Sequence, residues 1–222
     1  MSITLAFDVY GTLIDTQGVL TALETVVAGD ATTFSNTWRE KQLEYTFRRG
    51  LMQHYVDFAT CTRQALDYTC AFYGEELSAQ QKKLLLNSYQ TLPAFDDVQE
   101  GLARLKKKNA TLYAFSNGSK QAVEQLLDNA GIGHFFAGVV SCNEIQSFKP
   151  NPAVYSYFLR QASSYNNATW LISSNPFDVI GAISSGWRAA WLQRSTAAVF
   201  DPWDIPPTAT VSSLIGLCEV LD

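Results

Sequence analysis

The chain opens on an apolar run. Residues 3–7 are short, apolar and partly β-branched, the pattern of a strand buried on both faces. Asp8 ends the run, and Gly11 permits a tight turn directly after it. Over residues 15–94 apolar positions recur at helical spacing instead. Helices are expected at 17–27, at 34–48 with Trp38 and Tyr45 on one side, at 57–73 with Gly74 as its stop, and at 79–91 with Ser78 as its cap and Pro93 beyond its end. From Ala94 onward, strand and helix alternate. Helices are expected at 98–108, 120–130, 152–162, 177–185 and 212–220, and strands at 110–115, 138–142, 169–172 and 188–193.

Repeated strand–helix units imply an α/β fold with a parallel sheet covered by helices on both faces. The four helices inserted after the first strand read as a small bundle. The parse is therefore a Rossmann-like core of residues 1–14 and 95–222, with a helical cap domain at 15–94. A ligand site is expected between the two, outside the carboxyl ends of the strands.

Composition narrows the function classes. A chain of 222 residues with 47% apolar and 17% charged residues builds an ordinary globular core, as one domain or one with an insertion. The net charge of −5 disfavours nucleic acid as a partner. Lys106-Lys107-Lys108, the densest basic run, closes a predicted helix and needs only the helix dipole. Cys61, Cys70, Cys142 and Cys218 form no CxxC pair, which argues against a zinc site. No stretch reads as a signal peptide, and none reaches the roughly 18 apolar residues of a membrane span. The expectation is a cytoplasmic protein with reduced thiols and no membrane partner.

Candidate chemistry collects at the strand ends. Asp8 follows the first strand, Ser116-Asn117 the second, and Ser173-Ser174-Asn175 the fourth, with Asp178 just beyond; Lys149 lies in the loop after the third. Taken alone, Asp8 suits ordinary turn capping equally well. Four polar strand ends carrying two carboxylates and an ammonium are hard to attribute to packing.

Asp8-Val9-Tyr10-Gly11-Thr12, Ser116-Asn117-Gly118, Lys149-Pro150 and Ser173-Ser174-Asn175-Pro176-Phe177-Asp178 resemble the four motifs of the haloacid dehalogenase superfamily. The resemblance spans the whole chain. Trp38 to Tyr45 and Tyr55 to Phe58 in the cap are similar to segments of its L-2-haloacid dehalogenase branch. The magnesium-dependent phosphatases of the superfamily place a second Asp two residues after the nucleophile, where this chain has Tyr10. They also place one four residues before the position of Asp178, where this chain has Ser174. A halide leaving group needs no proton, and a hydroxyl is a poor substitute for a carboxylate on magnesium. Both substitutions imply dehalogenation without a cofactor or metal.

The resemblance implies Asp8 as nucleophile toward C2 of a small 2-haloacid, with inversion, followed by hydrolysis of the aspartyl ester to a 2-hydroxy acid and halide. Lys149 keeps Asp8 ionised, Thr12 hydrogen-bonds beside it, and Asp178 activates water with Ser173 and Asn175 completing the network. Ser116 and the backbone at Asn117 bind the substrate carboxylate. Arg39 and Asn117 cradle the halide against an edge of Phe177. Tyr10, Leu43, Phe58 and Phe177 wall the alkyl group, and Tyr155 supports the lysine and the substrate. Each of these residues also has a plain alternative: a salt bridge for Lys149, helix capping for Ser173 and Asn175, a solvated surface position for Arg39, and core packing for Tyr155 and the pocket wall. Phe177 stands where relatives often carry Trp, so a slightly longer substrate chain is expected to fit; Glu40 stands where Gln is common. Relatives are often homodimers, and the aromatic cap helices offer an interface. Two other readings stand beside this one: a magnesium-dependent phosphatase on a small phosphate ester, and a catalytically silent binding protein that kept the fold.

Overall fold

The computed structural model describes residues 3–165 and 168–221. Six strands form one parallel sheet: β1 (Thr4–Phe7), β2 (Thr111–Ser116), β3 (Gly138–Ser141), β4 (Thr169–Ser173), β5 (Arg188–Leu192) and β6 (Ala209–Val211), in the spatial order β3-β2-β1-β4-β5-β6. β1 is central, which is why every one of its four residues is buried. Its side chains alternate between two cores. Leu5 and Phe7 join Leu112, Ala114 and Ile172 on one face, and Ala6 joins Phe115 and Leu171 on the other.

Helices α5 (Val98–Lys107), α6 (Lys120–Asn129) and α9 (Leu214–Val220) cover the first face; α7 (Pro152–Gln161) and α8 (Pro176–Ser184) cover the second. Gly101 of α5 allows the close approach of α9, because a Cβ there would stand 2.4 Å from that of Leu214. Between β1 and β2 lie α1 (Leu20–Leu23), α2 (Ala31–Met52), α3 (Phe58–Tyr73) and α4 (Ala79–Ser88). The long pair α2 and α3 is tied internally: Trp38 Nε1 donates to Thr62 O at 2.8 Å and Gln42 Nε2 to Thr62 Oγ1 at 2.5 Å. The chain leaves and re-enters the sheet layer side by side. Asp15 N donates to Pro93 O at 2.8 Å and Phe95 N to Leu13 O at 3.1 Å.

Several elements differ from the pattern-based expectation. The helix expected at 34–48 runs from Ala31 to Met52, because Asp30 caps it by accepting from Thr32 N and Thr33 N, and the helix expected at 79–91 stops at Ser88. The helix expected at 17–27 is a 3-10 turn, Thr16–Val19, followed by the four residues of α1. Gly18 is a poor helix former packed against Pro93, and the run Thr25-Val26-Val27 is β-branched. The helix expected from 212 begins at Leu214, because Ser213 is its cap and accepts from Gly216 N. β6 was not expected at all; three residues are too short to show a period, and only pairing with β5 defines them.

Candidate active site

The parallel register sets Phe7 beside Ala114 of β2 and Ile172 of β4. The next residue, Asp8, therefore emerges between the tips of both neighbours. The turn after it is closed by Gly11 N donating to Ile14 O at 2.8 Å. Gly11 has φ +80°, and a Cβ there would lie 2.9 Å from the Arg39 guanidinium, so glycine serves both the turn and the approach of that cation.

Both oxygens of Asp8 are held. Oδ2 accepts from Thr12 Oγ1 and from Asn175 Nδ2, each at 2.8 Å. Oδ1 accepts from Lys149 Nζ at 3.2 Å. Lys149 Nζ also reaches Asp178 Oδ2 at 2.8 Å and Phe115 O at 2.7 Å, 4.2 Å from the centre of the Phe115 ring. The ammonium is 2% exposed and Asp178 is fully buried. Tyr155 OH donates to Asp178 Oδ1 at 2.8 Å. It can do so because residue 181 is glycine; a Cβ there would come 2.4 Å from that hydroxyl.

Burial works against the ammonium, but the carboxylates of Asp178 and Asp8 outweigh it and raise the pKa of Lys149 above the ordinary 10.5. Burial also pushes the Asp178 carboxyl above its ordinary 3.8, against the pull of Lys149 and with the repulsion of Asp8. Three tyrosines at or near the site are raised, first by burial: Tyr10, Tyr155, and Tyr89, which is pushed up to about 12. A group whose pKa is higher folded than unfolded contributes stability below its unfolded pKa and loses it as pH rises through the folded one. Lys149 and these tyrosines therefore predict a steady loss of stability from about pH 10 upward. Urea midpoints at pH 8, 9, 10 and 11 measure it, and a constant midpoint from pH 9 to 11 refutes it.

The remaining residues fall in several places. Asn175 starts α8, yet its side chain makes no cap hydrogen bond and turns to Asp8 instead, so plain capping does not describe it. Ser173 Oγ accepts from Asn175 N at 3.1 Å, which orients that asparagine. Arg39 is half-buried rather than solvated and donates to Asn175 Oδ1 at 3.0 Å. Leu43 lies one turn further along α2 on the same side. Asn117 Oδ1 accepts from Lys149 N at 2.9 Å, and Ser116 Oγ accepts from Gly118 N at 3.1 Å. Tyr10 packs on Phe58 with ring centres 5.7 Å apart. Tyr155 reaches Lys149 only through Asp178: its hydroxyl donates to one oxygen of the carboxylate whose other oxygen accepts from Lys149 Nζ, and its ring is fully buried in the core behind them.

The family model for haloacid dehalogenase-like hydrolases matches residues 4–186. The chain belongs to this family. Among its relatives it is 34% identical to the (S)-2-haloacid dehalogenase of Pseudomonas sp. strain YL, over 98% of this chain and 94% of that protein. It is 33% identical to haloacetate dehalogenase H-2 of Moraxella sp. strain B, over 98% and 96%. The L-2-haloacid dehalogenase of Xanthobacter autotrophicus, solved with chloropropionic acid covalently bound, superposes with a TM-score of 0.92 at 29% identity, covering 100% of this chain and 98% of that one.

As a haloacid dehalogenase-like hydrolase, the chain has a donor set that suits a magnesium ion poorly. The Asp178 carboxylate is divided between Lys149 and Tyr155, and the Ser174 hydroxyl donates to Gly11 O at 2.6 Å. Among the described residues no group of three or more His, Cys, Asp or Glu could hold a metal ion. Two cavities flank the site of this hydrolase. One of about 350 Å³ is lined by Tyr10, Phe58, Tyr89, Gly118 and Ser119, and one of about 500 Å³ by Phe47, Leu51, Lys149, Pro150, Phe177 and Trp203.

Motif reasoning missed Phe47, whose ring meets Phe177 edge-on at 5.0 Å, and Tyr89, set between Trp38 and Tyr10. Phe47 stands at i+8 from Arg39 on α2, a spacing that signalled a shared face. No signal in the sequence singled out Tyr89. No helix among the described residues is long and apolar enough to cross a membrane.

Proposed function

We propose that this hydrolase cleaves the carbon–halogen bond of short L-2-haloacids, with residues 15–94 acting as a cap over the strand ends. The supporting observation is the state of Asp8: an oriented carboxylate whose flanking acid positions are Tyr10 and Ser174. Oδ2 is tied to two donors, while Oδ1 faces only Lys149 among the described residues. Oδ1 is therefore the freer nucleophile. It attacks C2 from the side opposite the halogen, an Oδ1–C2 bond forms, and halide departs with the C–X electron pair, inverting C2.

The departing anion meets the Arg39 guanidinium, positioned by Asn175, with the edge of Phe177 alongside. Asn117 turns its oxygen to Lys149 N, which leaves its amide N–H₂ for the halide. Ser116 and the chain at Asn117, just before α6, receive the substrate carboxylate. Tyr10, Leu43 and Phe58 wall the alkyl group. Water then attacks the Asp8 carbonyl carbon and gives its proton to Asp178, whose burial makes it more basic than an ordinary Asp. The bond between the Asp8 carbonyl carbon and the substrate oxygen breaks, the departing alkoxide takes the second proton of the water to become the D-2-hydroxy acid, Asp8 returns to the carboxylate, and Asp178 releases its proton to solvent.

Halide release from L- and D-2-chloropropionate in EDTA buffer tests the reading. Release from the L form alone, unchanged by the chelator, is expected. Turnover of the D form, or activity that appears only with added Mg²⁺, removes it.

A further inference from the structure

Arg194 lies beyond β5, outside every motif, yet it is mostly buried, with a side-chain exposure of 13%. Its Nε and Nη2 both donate to the backbone oxygen of Thr12, at 3.1 and 2.7 Å. Its Nη1 pairs with Asp97 Oδ1 at 2.6 Å, and its guanidinium lies 4.2 Å from the centre of the Phe95 ring. The other oxygen of Asp97 accepts from Leu214 N at 2.6 Å, anchoring the pair to the start of α9.

These contacts span both connections to the helical layer. Thr12 lies on the outgoing segment, and Phe95 and Asp97 on the returning one. The segments are joined directly by Phe95 N donating to Leu13 O and Asp15 N to Pro93 O. One planar cation thus grips both passes of the chain at the root of the inserted helices. Its fork of donors suits a carbonyl and a carboxylate at once, which an ammonium cannot match. Thr12 is also the residue whose hydroxyl donates to Asp8 Oδ2 and accepts from Ser174 N at 2.9 Å.

We propose that Arg194 is a positioning residue for this reaction, holding the Thr12 carbonyl and the returning segment at Phe95 and Asp97 so that the Thr12 hydroxyl stays on Asp8. The kinetic part rests on the dehalogenase reading; the clamp itself does not. Arg194 touches neither Asp8 nor the space above it, so its influence passes through Thr12.

The test uses R194M, R194K, T12V and the double variant R194M/T12V, with halide release and hydrogen–deuterium exchange measured on each. In R194M, kcat is expected to fall about tenfold while KM stays within about twofold, because the bound substrate is unaffected and the attacking oxygen is misplaced. The double variant is expected to be no slower than T12V, since both changes remove one contact. R194K is expected to recover part of kcat through a single bond to Thr12 O. Exchange at the amides of Leu13, Ile14, Asp15 and Phe95 is expected to quicken at least tenfold in R194M, with β2 amides unchanged. Losses that multiply in the double variant, or R194M turnover equal to wild type, overturn the positioning role. Unchanged exchange at those four amides overturns the clamp. If R194M does not fold, R194K carries the kinetic and exchange comparisons. If wild type releases no halide, the dehalogenase reading fails, and exchange alone still decides the clamp.

Discussion

Asp8→Asn is expected to lower halide release from L-2-chloropropionate by at least about 10⁴-fold, because the carboxylate is the group that forms the covalent bond. The amide is isosteric, so the hydrogen bond from Thr12 can persist while nucleophilicity is lost. The same substitution is expected to raise thermal stability by a few degrees. In the folded protein one buried ammonium faces two carboxylates, Asp8 at 3.2 Å and Asp178 at 2.8 Å. Removing the charge at position 8 leaves one cation with one anion, and the repulsion that helps lift Asp178 disappears. Reactive sites commonly hold such strained charge at a cost to stability. Rate and melting temperature measured on one preparation separate the effects. A variant that keeps turnover removes Asp8 from the chemistry, and one that melts well below wild type contradicts the charge argument.

Lys149→Met is expected to cost both activity and stability. Without the ammonium, Asp8 and Asp178 share a buried site with no cation between them, and breaking such an arrangement costs about 3–5 kcal/mol. A pair of carboxylates in that setting holds a proton more tightly folded than unfolded. Stability of the variant therefore falls as pH rises from about 4, the unfolded carboxylate value, toward neutrality, more steeply than in wild type. The proton also blocks the nucleophile, so turnover at pH 7 is expected to drop by about 10³-fold or more. Urea unfolding at pH 4.5 and pH 7.5, beside halide release at pH 7, measures both. Equal stability loss at the two pH values would show that packing of the lysine stem, not its charge, is what the site requires.

Legibility followed the range of the interactions involved. The strand at 3–7, the helices at 98–108, 120–130 and 152–162, and the strand–helix alternation after residue 94 match the structure to within a residue or two, because period and caps are local properties of the chain. Asp8 and Asn175 were recognisable as polar residues just past apolar strands, Asp178 as a carboxylate in the helix that follows and Lys149 as a cation in the loop after β3, and the parallel pairing of β3, β2, β1 and β4 brings these segments together. The helix expected at 17–27 was lost to Gly18 packed on Pro93, a contact 75 positions away in the chain. Tyr155 showed the same limit: its position beyond Lys149-Pro150 was visible, but its hydrogen bond to Asp178 depends on the glycine at 181, two helices packed face to face.

The sequence by itself determined the α/β class, the segment inserted after the first strand, and the residue types at each strand end, since these depend on short-range periodicity and side-chain chemistry. Only the tertiary structure decided which partners those residues take. It turned Asn175 from a cap to Asp8, divided Asp178 between Lys149 and Tyr155, brought Arg39 down over Gly11, and set Arg194 against Thr12 and Asp97. The physical reason is that a hydrogen bond or ion pair in a buried site is selected by desolvation. Each polar group must find a partner within about 3 Å once water is excluded, and which groups lie within that reach depends on packing between distant segments.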